Sequence, residues 1–234
     1  MDVSLFTKDS EDLIIDLDLD NSTGYTQSTV NSASINNKGV EAILNVIPVQ
    51  SRDFTWDVTA SFSLLRSEVV SIADGIDQIY VGGYVGRGNI AIPGLPYGIL
   101  EGELIRRDYG SLDGTDHTQV HWDDRTGYTP IVNANGGYQF LGYGVIGNPQ
   151  PDYVYGVTNT LSYKWATLRV QFDSQVGGDV FSTTNSTLLG RGILQETDFD
   201  RFVPVVTNGL SADGTPNTTQ TTANAHYWLS LIHI

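Results

Sequence analysis

The stretch Phe54–Arg66, FTWDVTASFSLLR, decides the fold. Phe54, Trp56, Val58, Ala60, Phe62 and Leu64 alternate with Thr55, Asp57, Thr59, Ser61 and Ser63. A period of two is the side-chain repeat of an extended strand, so the segment has one apolar and one polar face. Phe54 to Leu64 also has the length of a bilayer-crossing β-strand, about 9–11 tilted residues. The aromatic pair Phe54 and Trp56 at one end fits an interfacial girdle. A half-buried strand of a soluble sandwich would alternate in the same way, so the neighbouring segments must separate the two.

Upstream, Asn36-Asn37-Lys38-Gly39 is turn chemistry leading into a strand. Val40, Ala42, Leu44 and Val46 form its apolar face, with Glu41 and Asn45 opposite. Pro48 is expected to end the strand, because it cannot donate to a ladder. Val49–Asp53 is then a hairpin turn into Phe54. A second hairpin follows the same plan downstream. Tyr153, Tyr155, Val157, Leu161 and Tyr163 share a face, interrupted by Asn159. Ala166, Leu168, Val170, Phe172 and Val176 continue it, against Thr167, Arg169, Gln171, Asp173 and Gln175. Tyr163 and Trp165 sit at this tight turn, where a lower aromatic girdle would be.

The connections are sorted by length. Those at Val49–Asp53 and Lys164–Ala166 are short; Thr7–Ile35, Val70–Pro151 and the chain after Gly177 are long. Short turns at one end and long loops at the other describe an outer-membrane barrel, and a soluble sandwich has no reason to sort its loops. Strand Phe54–Glu68 runs toward the long-loop end and Tyr153 starts from it, so the parity agrees. Asn21–Asn36 and Thr207–Ala225 read as polar loops. Val70–Pro151 is too long to be structureless and is expected to hold strands of its own, one near Tyr97–Arg106.

Composition narrows the class. Among 234 residues there are 25 Gly and 12 Tyr, only 17% charged residues and no Cys. This suits a β-rich chain, argues against helices and excludes disulfide or thiol chemistry. A net charge of −15 disfavours a nucleic-acid partner, since phosphate recognition needs a basic face. Met1–Ser4 has no basic or apolar leader and no run of 18 apolar residues occurs, so neither a signal peptide nor a membrane helix is expected within this chain.

Motifs that suggest bound ions or catalysis weaken on inspection. Asp16, Asp18 and Asp20 have calcium-like spacing, but Asn21 and Gln27 stand where an EF-hand loop needs Gly and Glu. The three read better as the solvent side of a strand. The Gly-rich Val81–Asn89 lacks the strand-to-helix context of a phosphate loop. His117 and His121 are four apart, a ligand spacing that works on a helix, and nothing nearby reads as helix. No metal or cofactor is expected. A glycoside hydrolase would need paired carboxylates across a cleft. Glu101, Glu103, Asp123 and Asp124 are available, but no spacing singles out a pair. The terminal LSLIHI, Leu229–Ile234, is an abrupt apolar end with no following partner strand.

Together the segments NNKGVEAILNVIPVQSRDFTWDVTASFSLLRSEVVSI (Asn36–Ile72) and IGNPQPDYVYGVTNTLSYKWATLRVQFDSQVGGDVFS (Ile146–Ser182), with Pro96-Tyr97-Gly98 between, resemble the SusC/RagA family of TonB-linked outer-membrane proteins. The resemblance covers most of Met1 to about Gly192. It implies a fold class: all-β, antiparallel strands of a partial transmembrane β-barrel with long extracellular loops. On this reading residues 1–234 are a barrel segment without the family's plug or closing strands. About five wall strands are expected, fewer than the 8 or so that close a barrel. The resemblance further implies outer-membrane localisation, import of oligosaccharides or peptides, a SusD-like surface lipoprotein as partner, coupling to the TonB system and no covalent chemistry. Arg169, Asp173 and Asp57 would then fill or salt-link the lumen side. Trp122 and Tyr138, in the long connection, are the candidate ligand-binding residues. The competing reading is a soluble β-sandwich in which the same two aromatics stack on sugars.

Overall fold

The computed structural model describes residues 1–18, 22, 24–84, 87–109, 124, 127–198, 200 and 202–222. Two compact units emerge: Met1–Val81, Ile90–Ile99 and Asn148–Asp179 form the first, and Gly82–Asn89, Leu100–Gly147 and Val180–Ile234 the second.

The first unit is built on one antiparallel sheet. Its strands are β1 (Asp2–Asp18), β2 (Gln27–Gln50), β3 (Phe54–Ser71), β10 (Tyr153–Tyr163) and β11 (Ala166–Val176), in the order β1-β2-β3-β10-β11. The five strands match the number read from the sequence. The register sets Trp56 opposite Leu161, Ala60 opposite Val157 and Phe62 opposite Tyr155. Leu44 lies opposite Ala60, and Val157 opposite Phe172. Each alternating pattern is therefore continued by its neighbour: the apolar rows align across β2, β3, β10 and β11, and Val3 and Leu5 of β1 join opposite Ala42 and Val40.

Two expectations about this sheet are corrected. Pro48 does not end its strand: β2 runs to Gln50, and the register shifts between Val46 and Val49. A bulge absorbs the missing donor, a place where a ladder tolerates proline. The presumed loop at 21–36 is strand from Gln27 onward and β1 extends to Asp18, so most of the connection read as Thr7–Ile35 is strand and Asn36–Gly39 lies within β2 rather than at a turn. Its Thr, Ser and Asn residues hid it, because polar β-strands carry no apolar alternation; the pairing of Leu13 with Ala33 and Ile15 with Val30 recruits them.

The core of this unit lies at the long-loop end. Ala33, Val69, Ile72 and Ala91 are buried there, with Leu13, Ile15, Ile76 and Ile79 packed around them. Val69 has the same parity on β3 as Thr59 and Ser61, so this core forms on the mainly polar face of the wall, where the loops cover it. Lower down, the wall has no such core.

The connection between β3 and β10 holds structure, as expected. It contains β4 (Ile79–Tyr84), β5 (Arg87–Ala91), β6 (Ile99–Ile105), β7 (Arg107–Asp108), β8 (Thr129–Pro130) and β9 (Phe140–Gly147). The strand near Tyr97–Arg106 is β6. Strands β4, β5, β6 and β9 form a sheet in that order. Beyond β11 come α1 (Thr183–Arg191), one 3-10 turn (Gln195–Thr197), β12 (Pro204–Val206) and β13 (Gln220–Thr222). Composition argued against helices, so α1 is an exception. The last pair corrects the reading of Thr207–Ala225 as wholly loop: Val205 pairs with Thr221. Among the described residues no helix is long and apolar enough to cross a membrane.

Candidate functional site

The outward face of the wall is apolar and uncovered. Leu5, Leu44, Phe62, Tyr155, Leu168 and Phe172 are all exposed, Phe172 to 66%. Such a contiguous face on a soluble sheet would normally be buried against a second layer. The span fits a membrane. Phe54 to Leu64 rises about 33 Å along the strand, or about 25 Å at a tilt of 35–45°, the height of an outer-membrane apolar band.

Aromatic residues border this band at both ends. At the short-turn end stand Phe54, Trp56, Tyr163 and Trp165, the last 94% exposed. The sequence pointed to this girdle. The second girdle was not foreseen. Register brings Phe62 and Tyr153 to 5.7 Å between ring centroids, and Tyr153 and Tyr155 to 6.2 Å, at the loop end. Phe62 and Tyr153 are 91 positions apart, so only strand pairing reveals the cluster.

Asn159 interrupts the outward face, opposite Val58. Its side-chain oxygen accepts a hydrogen bond from the Trp56 indole Nε1 at 3.2 Å. A polar group in hydrocarbon is costly when unpaired; here two polar groups of the apolar face satisfy each other.

The opposite face is mainly polar, with Phe6, Ile43, Leu65 and Val154 as its apolar members. Thr59 Oγ1 donates to Asn45 Oδ1 at 2.9 Å, Ser162 and Thr167 hydroxyls lie 3.2 Å apart, and Gln171 Nε2 donates to Asp173 Oδ2 at 2.7 Å. Asp173 leans over Gly156, where an added Cβ would come within 2.6 Å of its Oδ1. Asp57 and Arg169 flank Thr160 from its two sides. They share a row but not a contact, because β10 separates their strands. Of the two expectations, filling or salt-linking this face, the structure shows no salt bridge of Arg169 among the described residues; the face carries neutral and carboxylate hydrogen bonds.

Above the second girdle, the Asn148–Asp152 segment is fastened to β3. Arg66 Nη1 donates to the Pro151 carbonyl at 2.8 Å, and Nη2 donates to Asp152 Oδ1 at 3.1 Å. Gln150 accepts from the Ser67 amide at 3.1 Å and donates to the Ser67 and Tyr97 carbonyls at 3.3 and 3.1 Å. The Asn-Pro-Gln-Pro-Asp run thus sets the entry of β10.

The second unit holds the candidate ligand residue Tyr138. It bridges to Val132, while Gln139 bonds the backbone of Arg106 and Ile131. Tyr138 is half-buried; burial pushes its phenol above the ordinary value, and the nearby Arg107 charge holds it back. Burial in turn pulls the Arg107 guanidinium down, opposed by Tyr109 and Tyr138. Arg107 Nη1 donates to the Tyr128 carbonyl at 2.8 Å, and the Tyr128 ring meets Tyr109 edge-on at 4.9 Å. Arg107 was not singled out from the sequence, since an Arg-Arg pair in a long connection carries no ligand pattern. Trp122, the other candidate, lies outside the described residues, as do His117, His121, Asp123 and Asp20.

Of the carboxylates considered for glycoside hydrolysis, those among the described residues form no cleft pair. Glu101 and Glu103 share one face of β6, but Glu101 is only 4% exposed. Asp16 sits on strand β1, exposed, and accepts a hydrogen bond from Thr29 Oγ1, which is the solvent-side strand role rather than a calcium loop. No cluster of three or more metal-ligating side chains occurs among the described residues.

No family model matches the chain. It is 27% identical over 198 residues to a TonB-dependent receptor of Formosa agariphila, covering 80% of this chain and 19% of that protein. A second receptor of the same organism is 26% identical, over 77% of this chain and 19% of its own length. SusC, a TonB-dependent receptor of Bacteroides thetaiotaomicron, is 28% identical over 88 residues, 36% of this chain and 9% of SusC. Among solved structures, the RagAB peptide importer in its closed-closed state superposes with a TM-score of 0.53 at 18% identity, over 75% of this chain and 19% of that one. The chain spans about a fifth of the length of the first two receptors. Its fold is that of antiparallel wall strands like those of the RagAB barrel, and its sequence is similar to SusC/RagA-type TonB-dependent receptors.

Proposed function

We propose that this chain is a stretch of barrel wall, with its loop-end structure, from an outer-membrane TonB-dependent transporter that imports oligosaccharides or peptides together with a SusD-like lipoprotein. One observation carries the reading: an apolar face some 25 Å high, bordered by aromatics at both ends, runs over β2, β3, β10 and β11, with Val3 and Leu5 of β1 joining its uppermost rows, and no second layer covers it. The outermost strands β1 and β11 each have one paired and one open edge within the sheet. Open edges in lipid leave backbone groups unpaired at several kcal/mol each, so further strands would complete the wall. Transport through such a wall needs no covalent step. Energy would come through the TonB system. Tyr138 and Trp122 are proposed as ligand-contacting aromatics of the loop region.

The chain has no cysteine, so single introduced thiols report cleanly on their surroundings. In the full receptor, Arg169→Cys is expected to react with a charged aqueous maleimide. Leu168→Cys, its neighbour on the other face, is expected to react only with a lipid-soluble reagent. Equal aqueous labelling of both would end the wall reading. Deleting the receptor gene and finding which glycan or peptide no longer supports growth would identify the cargo.

A further inference from the structure

We propose that the outward face of the wall carries a binding site for the phosphate head of a membrane lipid, formed by Lys38 and Arg66 above Leu5, Val40 and Leu64. The inference rests on the transmembrane reading above and adds a specific lipid contact to it.

Three rows on the outward face define the site. The uppermost apolar row is Leu5, Val40 and Leu64, aligned across β1, β2 and β3. One step higher come Thr7, Lys38 and Arg66, again directly paired. One step above that are Asp9, Asn36 and Glu68. Lys38 and Arg66 therefore stand opposite each other on adjacent strands. Like charges in that relation repel and normally destabilise a sheet. The repulsion is only partly relieved within the chain. Arg66 is paired with Asp152, and that bridge is half-exposed. Lys38 makes no hydrogen bond or ion pair with the described residues.

The two cations also rim an open depression of about 380 Å³, whose walls include Leu5, Thr7, Val40 and Leu64. Phe6 and Gly39 also line it, and on the sheet's other face the Phe6 ring lies where a Gly39 side chain would be. An apolar floor with two adjacent cations at its upper rim has the chemistry of an acyl chain joined to a phosphate. Height agrees, because the cationic row lies at the boundary between the apolar band and the polar loop end. The acidic row just above confines an anion to the Lys38–Arg66 level. In a chain of net charge −15 this row is one of few places that attracts a phosphate.

The test uses the receptor that carries this chain, reconstituted in nanodiscs of phosphatidylcholine with a minority of phosphatidylglycerol. Lipids retained on release are counted by native mass spectrometry. The unaltered protein is expected to retain phosphatidylglycerol preferentially, and Lys38→Gln to lower that preference about fivefold. Lys8→Gln is the matched control: it removes the same charge at nearly the same height but from the polar face, and it should leave the preference intact. Equal loss in Lys38→Gln and Lys8→Gln would show a net-charge effect and overturn the site. Displacement of the lipid by millimolar inorganic phosphate alone would do the same, by showing a general anion site. A receptor that failed to enter the nanodisc at all would instead count against the transmembrane reading.

Discussion

The indole Nε1 of Trp56 donates to the side-chain oxygen of Asn159 at 3.2 Å, across two paired strands and 103 positions of sequence. The two are diagonal neighbours on the outward face, since Asn159 lies opposite Val58 and Leu161 opposite Trp56. Without this bond the apolar belt would carry an unpaired carboxamide oxygen and an unpaired indole N–H, which the proposed lipid contact would leave unsatisfied.

That pairing predicts strong non-additivity. Trp56→Phe alone and Asn159→Leu alone each leave one polar partner stranded, whereas the double change leaves none. In urea unfolding of the receptor from lipid vesicles, the double variant should be more stable than the summed single effects by about 1 kcal/mol. Additive effects would mean that the bond contributes nothing in the membrane.

Facing predicts a second contrast at adjacent residues. Val58→Lys places a charge on the outward face near mid-height, and should cost about 2–4 kcal/mol of assembly stability. Thr59→Lys places it on the polar face and should cost under about 1 kcal/mol, the bond from Thr59 Oγ1 to Asn45 being its main loss. The readout is the folded, heat-modifiable fraction in outer membranes; equal losses would reverse the assigned faces.

Gly178 predicts a backbone effect at the loop end. It has φ +86°, and an added Cβ would lie 2.9 Å from the Pro149 carbonyl oxygen. Gly178→Ala should therefore cost about 1–2 kcal/mol from the left-handed conformation alone. Gly214, with φ +80° and open space around it, is the comparison. Limited proteolysis of the Asn148–Asp152 segment should accelerate in the first variant and not in the second.

The solvent-exposed Arg66–Asp152 bridge predicts a modest charge effect and a larger structural one. Asp152→Asn should change stability by less than about 1 kcal/mol, because the pair is solvent-screened. Arg66→Ala also removes the bond to the Pro151 carbonyl and should loosen the start of β10 more. Hydrogen exchange at Tyr153–Tyr155 would rank the two, and the reverse ranking would contradict the fastening role.

Tyr138 predicts a pH dependence in the alkaline range. Burial raises its folded pKa above the unfolded value near 10. A raised folded pKa contributes stability that is complete below the unfolded value and is lost as pH rises through the folded one. Ultraviolet titration should include a phenol phase later than free tyrosine that Tyr138→Phe removes. Arg107→Leu should delay it further, because the Arg107 charge favours the phenolate; an earlier phase would contradict the cause assigned.

How much of this was legible beforehand depended on whether the signal was local. Alternation at Phe54–Leu64, Tyr153–Tyr163 and Ala166–Val176 named the wall strands and their faces, because period two is a property of neighbouring residues. The short turns and the lower girdle at Tyr163 and Trp165 were visible for the same reason. The polar start of β2 at Gln27 was not, since its strand state comes from β1 and its composition mimics a loop. Pro48 misled because a bulge, a two-strand feature, accommodates it. Arg107 beside Tyr138 was invisible too: no spacing connects a residue of β7 with one past β8.

The amino-acid order by itself determined that the chain is β-rich, which residues of each wall strand share a face, and that long connections gather at one end. These follow from side-chain alternation and turn chemistry, which act over a few residues. Tertiary structure alone decided that the apolar faces join into one exposed belt, that Trp56 and Asn159 neutralise each other within it, and that Lys38 and Arg66 meet above it. Those outcomes depend on strand register, in which a shift of one residue would move every side chain to the opposite face.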